Sequence, residues 1–100
     1  MTTVRFRRRA LLEIDRIDAW WRENRPSVPD RFAEELREAI TVLQSAPTIG
    51  AVYSRSPTRR PVRRLLLPDT QMHLYYAVDG QTVFVLRLWG ARRGRGPKVL

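Results

Sequence analysis

The chain contains one histidine, His73, and this is the residue best suited to acid–base chemistry. Imidazole titrates near neutral pH without any perturbation, unlike the other common side chains. Acid–base chemistry on RNA would need a second group nearby, and we consider Arg64, Tyr75 and Arg92 for that role. Neighbouring arginines would favour the neutral imidazole, which suits a general base better than a general acid. The alternative is a partly buried histidine that hydrogen bonds satisfy.

A second set of residues suits binding rather than catalysis. An aromatic ring beside guanidinium groups can stack on a base or on an aromatic side chain, while the cations bind phosphate or carboxylate. The candidate contact residues are Arg59, Arg60, Arg63, Arg64, Arg87, Trp89, Arg92, Arg93, Arg95 and Lys98. The alternative is that the basic C-terminal residues only keep the chain in solution.

Other kinds of site find no support in the sequence. No Gly-rich phosphate loop, no metal-ligand cluster and no nucleophile–His–acid arrangement can be recognised. The absence of cysteine removes disulfides and thiolate metal sites, and it is compatible with a reducing cytosol. We therefore expect neither a cofactor nor a metal.

The distribution of charge is more informative than its total of +9. Residues 1–9 carry four arginines and no acid, whereas residues 10–40 are mildly acidic. Residues 55–98 hold nine arginines and one lysine against two aspartates. Such asymmetry indicates a polyanionic partner, either a nucleic acid or an acidic protein. The alternative is that the arginine content reflects a GC-rich genome.

Length and hydropathy predict one domain spanning residues 1–100. A chain of 100 residues with 43% hydrophobic content suits a single core. No apolar run approaches the roughly 18 residues of a membrane span. Residues 1–9 are too short and too charged for a signal peptide. We therefore expect a cytoplasmic protein without a membrane anchor.

Three β-rich segments, residues 59–67, 71–78 and 81–89, predict an antiparallel meander. Asp79-Gly80 between the last two predicts a two-residue type I′ turn, because this turn needs positive φ at both central residues. The resulting register pairs Val78 with Gln81, Tyr76 with Val83, Leu74 with Val85 and Met72 with Arg87. The opposite face would carry His73, Tyr75, Ala77, Thr82, Phe84, Leu86 and Leu88.

The N-terminal half is expected to cover one face of this sheet. Residues 2–7 alternate as a short edge strand, and residues 8–24 and 28–46 have helical periodicity. The apolar stripes are Leu11, Ile14, Ile17 and Trp21 in the first helix and Phe32, Leu36, Ile40 and Leu43 in the second. Ser27 is a candidate cap for the second helix. Of the tandem Trp20-Trp21, one ring should lie at the helix edge.

The remaining segments are predicted as loop and tail. Gly50, Pro57 and small polar residues indicate a loop over residues 48–58, from which Tyr53 and Arg55 could reach a partner. Residues 90–100 are rich in Gly and Arg and predict an extended, partly mobile basic arm. Together the elements predict an α+β fold of order β-α-α-β-β-β, with an αα-hairpin packed on a mainly antiparallel sheet.

Two further arginine positions depend on the sheet register. Arg63 and Arg64 must point to opposite faces of their strand, so one of them faces the helices or their rim. That one could pair with Glu34 or Glu38, while the other faces the open side. Arg87 lies near the end of its strand and could extend to solvent or pair with an acid.

This order of segments resembles the RelE/ParE superfamily of bacterial toxins from type II toxin–antitoxin pairs. The resemblance covers nearly the whole chain, and its carrying stretches are ALLEIDRIDAWW, LQSAPTIG, VRRLLL and HLYYAVDGQTVFVLRLWGARR. It implies a growth-inhibiting toxin that a cognate antitoxin neutralises by wrapping it with an acidic, amphipathic segment. It also implies a hetero-oligomeric toxin–antitoxin complex and a role in plasmid stabilisation.

The resemblance implies one of two mechanisms. RelE-like members cut mRNA in the ribosome with Arg, His, Tyr, Lys or Glu side chains, whereas ParE-like members inhibit DNA gyrase and lack that set. The position of a catalytic Arg in many RelE-like nucleases corresponds to His73, and that of a catalytic His corresponds to Trp89-Gly90. Residues 48–58 contain no Glu or Lys to serve as a base. These departures favour the ParE-like mechanism.

We therefore expect a ParE-like toxin that acts by binding DNA gyrase rather than by catalysis. The first alternative is a ribosome-dependent mRNA endonuclease rebuilt around His73, Tyr75 and arginines. The second is a non-toxic basic module that binds nucleic acid through its sheet face.

Overall fold

Two helices lie on one face of a five-stranded sheet in the computed structural model, which describes residues 2–56 and 59–98. The elements are β1 (Thr3–Phe6), α1 (Arg8–Asn24), α2 (Arg31–Ser45), β2 (Ala51–Ser56), β3 (Arg59–Leu67), β4 (Met72–Asp79) and β5 (Thr82–Gly90). The strand order is β1-β5-β4-β3-β2. β1 runs parallel to β5, and the other neighbours are antiparallel. The predicted α+β fold is confirmed.

The segment predicted as a loop over residues 48–58 contains a strand. β2 pairs antiparallel with β3 and forms the sheet edge, so the C-terminal meander has four strands rather than three. Its two large hydrophobic residues, Val52 and Tyr53, are adjacent and give no period-2 alternation, and the register shifts twice along it. An edge strand needs no strong apolar face, which explains why its sequence resembles a loop. Pro57 and Thr58 lie outside the described residues.

The helices pack their apolar stripes onto β3, β4, β5 and β1. Phe32 and Leu43 of α2 are fully buried, and Ile14 and Ile17 of α1 pack against the same core. Leu11 was expected in this stripe but is 49% exposed. Ala10 takes the inward position instead, because adjacent helical residues point about 100° apart and Ala10 aligns with Ile14 and Ile17. Trp21 contacts the core while Trp20 is exposed, so one ring lies at the helix edge as predicted.

The connection between the helices is longer than predicted. α2 begins at Arg31, because Val28 and its neighbours form hydrogen-bonded turns rather than a first helical turn. Asp30 occupies the N-cap position without capping the helix through its side chain. Its carboxylate accepts a hydrogen bond from Arg22 at 2.8 Å instead, and Ser27 does not cap the helix.

The β4–β5 turn differs from the predicted one by one residue. Asp79 pairs with Thr82, so Gly80 and Gln81 are the two central residues, and Gly80 has φ 58°. Glycine at the first central position is the requirement of a type II′ turn rather than type I′. The shift moves Val78 opposite Val83 instead of Gln81.

A bulge further along β5 changes the register again. Tyr76 pairs with Val85 and Tyr75 pairs with Arg87, which leaves Leu86 as the extra residue. The predicted partners were therefore wrong beyond the turn as well. The observed pairs are Tyr76 with Val85, Leu74 with Leu88 and Met72 with Gly90. The bulge also moves Leu88 into the buried core instead of onto the opposite face.

Glu35 attaches α2 to the β3–β4 turn. Its buried carboxylate accepts hydrogen bonds from the backbone N–H groups of Asp69 and Thr70, at 2.7 and 3.0 Å, and from the Thr70 hydroxyl at 2.6 Å. A buried carboxylate is tolerated when several donors satisfy it. Neither helix of the described residues is long and apolar enough to cross a membrane.

Candidate functional site

The sheet face that the helices leave uncovered carries a cluster of three rings, which we call the open-face cluster: Tyr53, His73 and Tyr75. Tyr75 and His73 alternate with the buried Leu74 along β4, so both point away from the helices. The Tyr53 and Tyr75 rings lie edge-on at 4.7 Å, and the His73 and Tyr75 rings at 6.0 Å. Tyr53 joins the cluster because β2 pairs beside β3, which the sequence did not predict.

Arg64 adds a charge to the open-face cluster. It is the Cα partner of Tyr75 across the β3–β4 ladder, and its guanidinium carbon lies 5.5 Å from the centre of the Tyr53 ring. Burial lowers the pKa of His73, and the Arg64 charge lowers it further. Both effects favour the neutral form of the imidazole, which is the form expected from the sequence. Arg64 is exposed, so it is the arginine of the 63–64 pair that faces the open side.

Arg63 has a structural role on the other face. Its Nη1 donates hydrogen bonds to the carbonyl oxygens of Thr48 and Gly50 at 3.2 and 2.9 Å. These bonds attach the segment before β2 to the sheet, and they take the place of the expected pairing with Glu34 or Glu38. A partner would have to compete with two backbone acceptors for this side chain.

Tyr75 is only 1% exposed although it lies on the face opposite the helices. Tyr53 packs against it, and the C-terminal arm, residues 91–98, in turn lies against Tyr53. A Cβ atom added to Gly96 would fall 2.7 Å from Cζ of the Tyr53 ring. Within the described part of the chain, no hydrogen bond or cation–π interaction joins Arg92 to His73 or Tyr75. Of the residues considered for catalysis, the structure therefore brings together His73, Tyr75 and Arg64.

The C-terminal arm folds back on β5 rather than extending freely as predicted. The Trp89 indole N–H donates to the Arg95 carbonyl oxygen, and Arg87 Nη1 donates to that of Lys98, each at 2.9 Å. Pro97 is buried. Both hydrogen bonds are accepted by backbone carbonyl groups. Such contacts cannot be predicted from the Gly- and Arg-rich composition of the arm. The charged side chains of Arg92, Arg93, Arg95 and Lys98 are exposed, as contact residues must be.

The Trp89 ring is already engaged by cations of its own chain. The guanidinium carbon of Arg93 lies 4.1 Å from the ring centre, and that of Arg87 lies 5.0 Å away. Such contacts are attractive because the ring face is electron-rich. A base or a partner's aromatic would have to displace one of them before it could stack.

Arg87 binds an acid of α1 and is nearly buried. Its Nε and Nη2 lie 2.9 to 3.1 Å from the two carboxylate oxygens of Glu13, which also accepts a hydrogen bond from the backbone N–H of Leu88. The side chains of Arg87 and Glu13 are 11% and 16% exposed. Arg87 thus holds α1 to β5, and its expected role among the contact residues stays a prediction.

Arg59 and Arg60 lie at the beginning of β3, away from the arm's attachment on β5. Arg60 forms an exposed ion pair with Asp79 at 2.8 Å, while Arg59 is exposed and pairs through its backbone with Ser56. The predicted contact residues are thus divided between two regions of the surface. Their role in binding stays a prediction.

Comparison with known proteins provides independent information on this fold. A family model described as the ParE toxin of the type II toxin–antitoxin system, parDE, matches residues 4–94. No curated protein matches the sequence. Among solved structures, a chain of the chromosomal ParDE system from P. aeruginosa is similar, with 22% identity and a TM-score of 0.69. The match covers 92% of this chain and 98% of that one.

Two structures of the E. coli toxin RelE are also similar. An arginine-to-alanine double mutant in the free state has 24% identity and a TM-score of 0.58, over 91% of this chain and 84% of that chain. The isolated toxin has 24% identity and a TM-score of 0.59, over 94% and 88%. At these identities the likeness concerns the fold, whereas the family model matches the sequence over most of its length. The chain therefore belongs to the ParE toxin family of type II toxin–antitoxin systems.

Proposed function

We propose that this protein is a growth-inhibiting toxin that acts by binding and inhibiting DNA gyrase, and that a cognate antitoxin neutralises it in the cytoplasm. The observation that carries the proposal is the burial of Tyr75. A phenol that is 1% exposed and packed beneath Tyr53 does not reach a ribose or a phosphate. Across residues 2–56 and 59–98, Arg92, the other candidate on the basic tail, forms no hydrogen bond or cation–π interaction with a residue of the open-face cluster. Binding of a protein target requires no such catalytic group.

The test is induced expression in a bacterium, with and without the small open reading frame adjacent to the gene. Growth should be scored together with plasmid supercoiling and mRNA 5′ ends in the same culture. We expect growth arrest, loss of negative supercoiling and intact messages, with growth restored by co-expression. Purified protein should also inhibit supercoiling by gyrase in vitro. Cleavage of ribosome-bound mRNA with supercoiling unaffected would overturn the proposal.

A second candidate function, ribosome-dependent mRNA cleavage, is favoured by one observation. Burial and the charge of the exposed Arg64 lower the pKa of His73, and a neutral imidazole next to a guanidinium that can bind phosphate is suited to activate a ribose 2′-hydroxyl. Under this candidate, His73→Ala and Arg64→Ala would each abolish toxicity, and messages would be cut in phase with codons. Under the gyrase proposal, His73→Ala stays toxic and messages stay intact, whereas Arg64 is also a candidate contact residue for the target. Arg37→Ala, on α2, is the matched control for loss of one exposed arginine.

A further inference from the structure

One face of α1 points away from the sheet and is exposed. Ala10, Ile14 and Ile17 turn toward the core, and the residues about 180° from them around the helix form the outward face. Its members are all exposed: Arg8, Leu12, Asp15, Arg16, Ala19 and Glu23. Leu12 is 53% exposed, so covering this face would remove apolar surface from water.

α1 is electrically neutral in a strongly cationic chain. The helix carries four arginines and four acids, whereas the whole chain has a net charge of +9. Two copies of such a chain repel one another through their net charge. α1 therefore offers a surface on which two copies can meet without adding to that repulsion.

The outward face of α1 is complementary to itself. Its six positions are symmetric about the midpoint between residues 15 and 16, so that position 8 corresponds to 23 and position 12 to 19. If the α1 helix of a second copy runs antiparallel about a two-fold axis, Arg8 lies opposite Glu23 and Leu12 lies opposite Ala19. The small alanine leaves room for the leucine side chain, which lets the two helices approach closely.

The charges on this face are available for such a contact. Across residues 2–56 and 59–98, neither Arg8 nor Glu23 forms an ion pair. In the two-fold pair each of them would meet its opposite charge, and the contact would occur twice. Asp15 and Arg16 of both copies lie at the axis, where one acid and one base from each copy balance.

Trp20 adds an aromatic contact beside the outward face. Its side chain is 47% exposed, although Arg25 of the same chain lies 5.2 Å from the ring centre. At about 100° per residue, Trp20 and Arg9 lie on the same side of the helix. Like sides meet in an antiparallel two-fold pair, so Trp20 of one copy lies near Arg9 of the other. A guanidinium beside an indole ring is attractive.

We propose that the outward face of α1 is a homodimer interface, in which two copies of the chain pair antiparallel about an axis between Asp15 and Arg16. The acids on this face disfavour a nucleic acid, whose phosphates they repel. The symmetric order of charges fits a second copy of the same chain. The open-face cluster lies on the other side of the sheet and stays accessible in both copies. The pairing does not depend on the cellular target.

Sedimentation velocity tests whether the chain dimerises. A single helix pair is a small interface, so we expect a weak monomer–dimer equilibrium at about 10–500 µM protein. A salt concentration of about 0.3 M screens the repulsion between net charges. Leu12→Ser should weaken dimerisation by about tenfold or more, because the contact is lost twice. Leu11→Ser is the matched control, since Leu11 is 49% exposed but points about 100° away. It should change the affinity less than about twofold.

A charge exchange tests the orientation of the two copies. Arg8→Glu and Glu23→Arg should each weaken dimerisation by about tenfold, because like charges then lie opposite one another. The double variant restores opposite charges and should return to within about twofold of the parent. Glu38→Arg, at an exposed position of α2, makes the same change in net charge as Glu23→Arg and should have no effect. Circular dichroism should show unchanged folding in all of them.

Cross-linking locates the axis. The chain has no cysteine, so a single introduced thiol reports on one position. A short bismaleimide should join two copies of Arg16→Cys, which lie near the axis, but not two copies of Arg37→Cys on α2. A monomer at every concentration would overturn the inference. Equal effects of Leu12→Ser and Leu11→Ser, failure of the double variant to restore pairing, or cross-linking at position 37 but not at 16 would also overturn it.

Discussion

Glu13 and Arg87 join α1 to β5 through a nearly buried ion pair between residues 74 positions apart in the sequence. The same carboxylate accepts the backbone N–H of Leu88, which lies beyond the reach of β1. The Glu13 carboxylate therefore pairs with the Arg87 cation and also accepts a hydrogen bond from the part of β5 that β1 leaves unpaired. A groove of about 410 Å³ beside this pair is lined by Arg9, Arg16 and Arg93 among others.

Glu13→Ala should destabilise the protein strongly, because it leaves the Arg87 guanidinium and the Leu88 N–H without their acceptor. Breaking a buried ion pair by removing one partner costs about 3 kcal/mol or more of unfolding free energy. The measurement is the urea unfolding midpoint at pH 7. Arg60→Ala removes the exposed pair with Asp79 and is the control, with an expected loss below about 1 kcal/mol. Equal losses would show that the Glu13 pair is not effectively buried.

Gly50→Ala should disturb the attachment of β2. An added Cβ would lie 2.7 Å from both the carbonyl oxygen of Arg64 and the hydroxyl of Tyr76, which accepts the Gly50 N–H. Tyr76 is fully buried and the Arg64 oxygen belongs to the backbone, so neither can move freely. Overpacking of this kind costs about 1–3 kcal/mol. Thermal unfolding would check this.

Gly94→Ala is the control for that substitution, because nothing lies within 4 Å of the added Cβ. Its unfolding temperature should match that of the parent chain. If Gly50→Ala unfolded at the parental temperature as well, the close approach of the three segments would not be required.

The stability of the protein should depend on pH through His73. Its pKa in the folded chain is lowered from 6.5 by burial and by the Arg64 charge, so the unfolded chain binds the proton more readily. His73 therefore does not lower the free energy of unfolding at a pH above its pKa in the unfolded chain. The free energy of unfolding declines as the pH falls below that value, and the decline ends below the pKa of His73 in the folded chain. His73→Gln should therefore flatten the pH dependence of unfolding between about pH 7 and pH 5.

The single histidine makes this shift directly measurable by an NMR titration of its imidazole. We expect a pKa below 6.5 in the parent and a higher one in Arg64→Gln. Arg37→Gln, which removes an exposed arginine on α2, should leave the titration unchanged. A parental pKa above 6.5 would contradict the burial of His73.

Gly96→Ala should release the C-terminal arm from Tyr53. The added methyl group would collide with the Tyr53 hydroxyl and ring, and it is easier for the arm to move than for the β2–β3 pairing to change. The indole N–H of Trp89, which donates to Arg95, should then exchange with solvent faster. Hydrogen exchange by NMR measures this, and Gly94→Ala should exchange at the parental rate. Unchanged exchange would place the arm's attachment at Trp89 alone.

Several features followed from local pattern. Most of the helical stripes and the position of β3 reflect spacing over a few residues. β2 was not predicted, because the sequence of an edge strand whose two large hydrophobic residues are adjacent resembles that of a loop. The β4–β5 register was predicted incorrectly for two reasons. Two possible turns at Gly80 differ by a single residue, and no local sequence pattern indicates the bulge at Leu86.

For the candidate site residues as well, some properties follow from the sequence and others only from the tertiary structure. Sequence alone determined that the chain is strongly cationic toward its C-terminus, that it holds one histidine, and that an N-terminal strand and two helices precede the C-terminal strands. Only the tertiary structure decided that Arg87 is held by Glu13, that Tyr75 is buried beneath Tyr53, and that Arg9 and Arg16 border one groove with Arg93. The physical reason is distance along the chain. Burial and pairing depend on contacts between remote segments, whereas propensity and periodicity depend on neighbours.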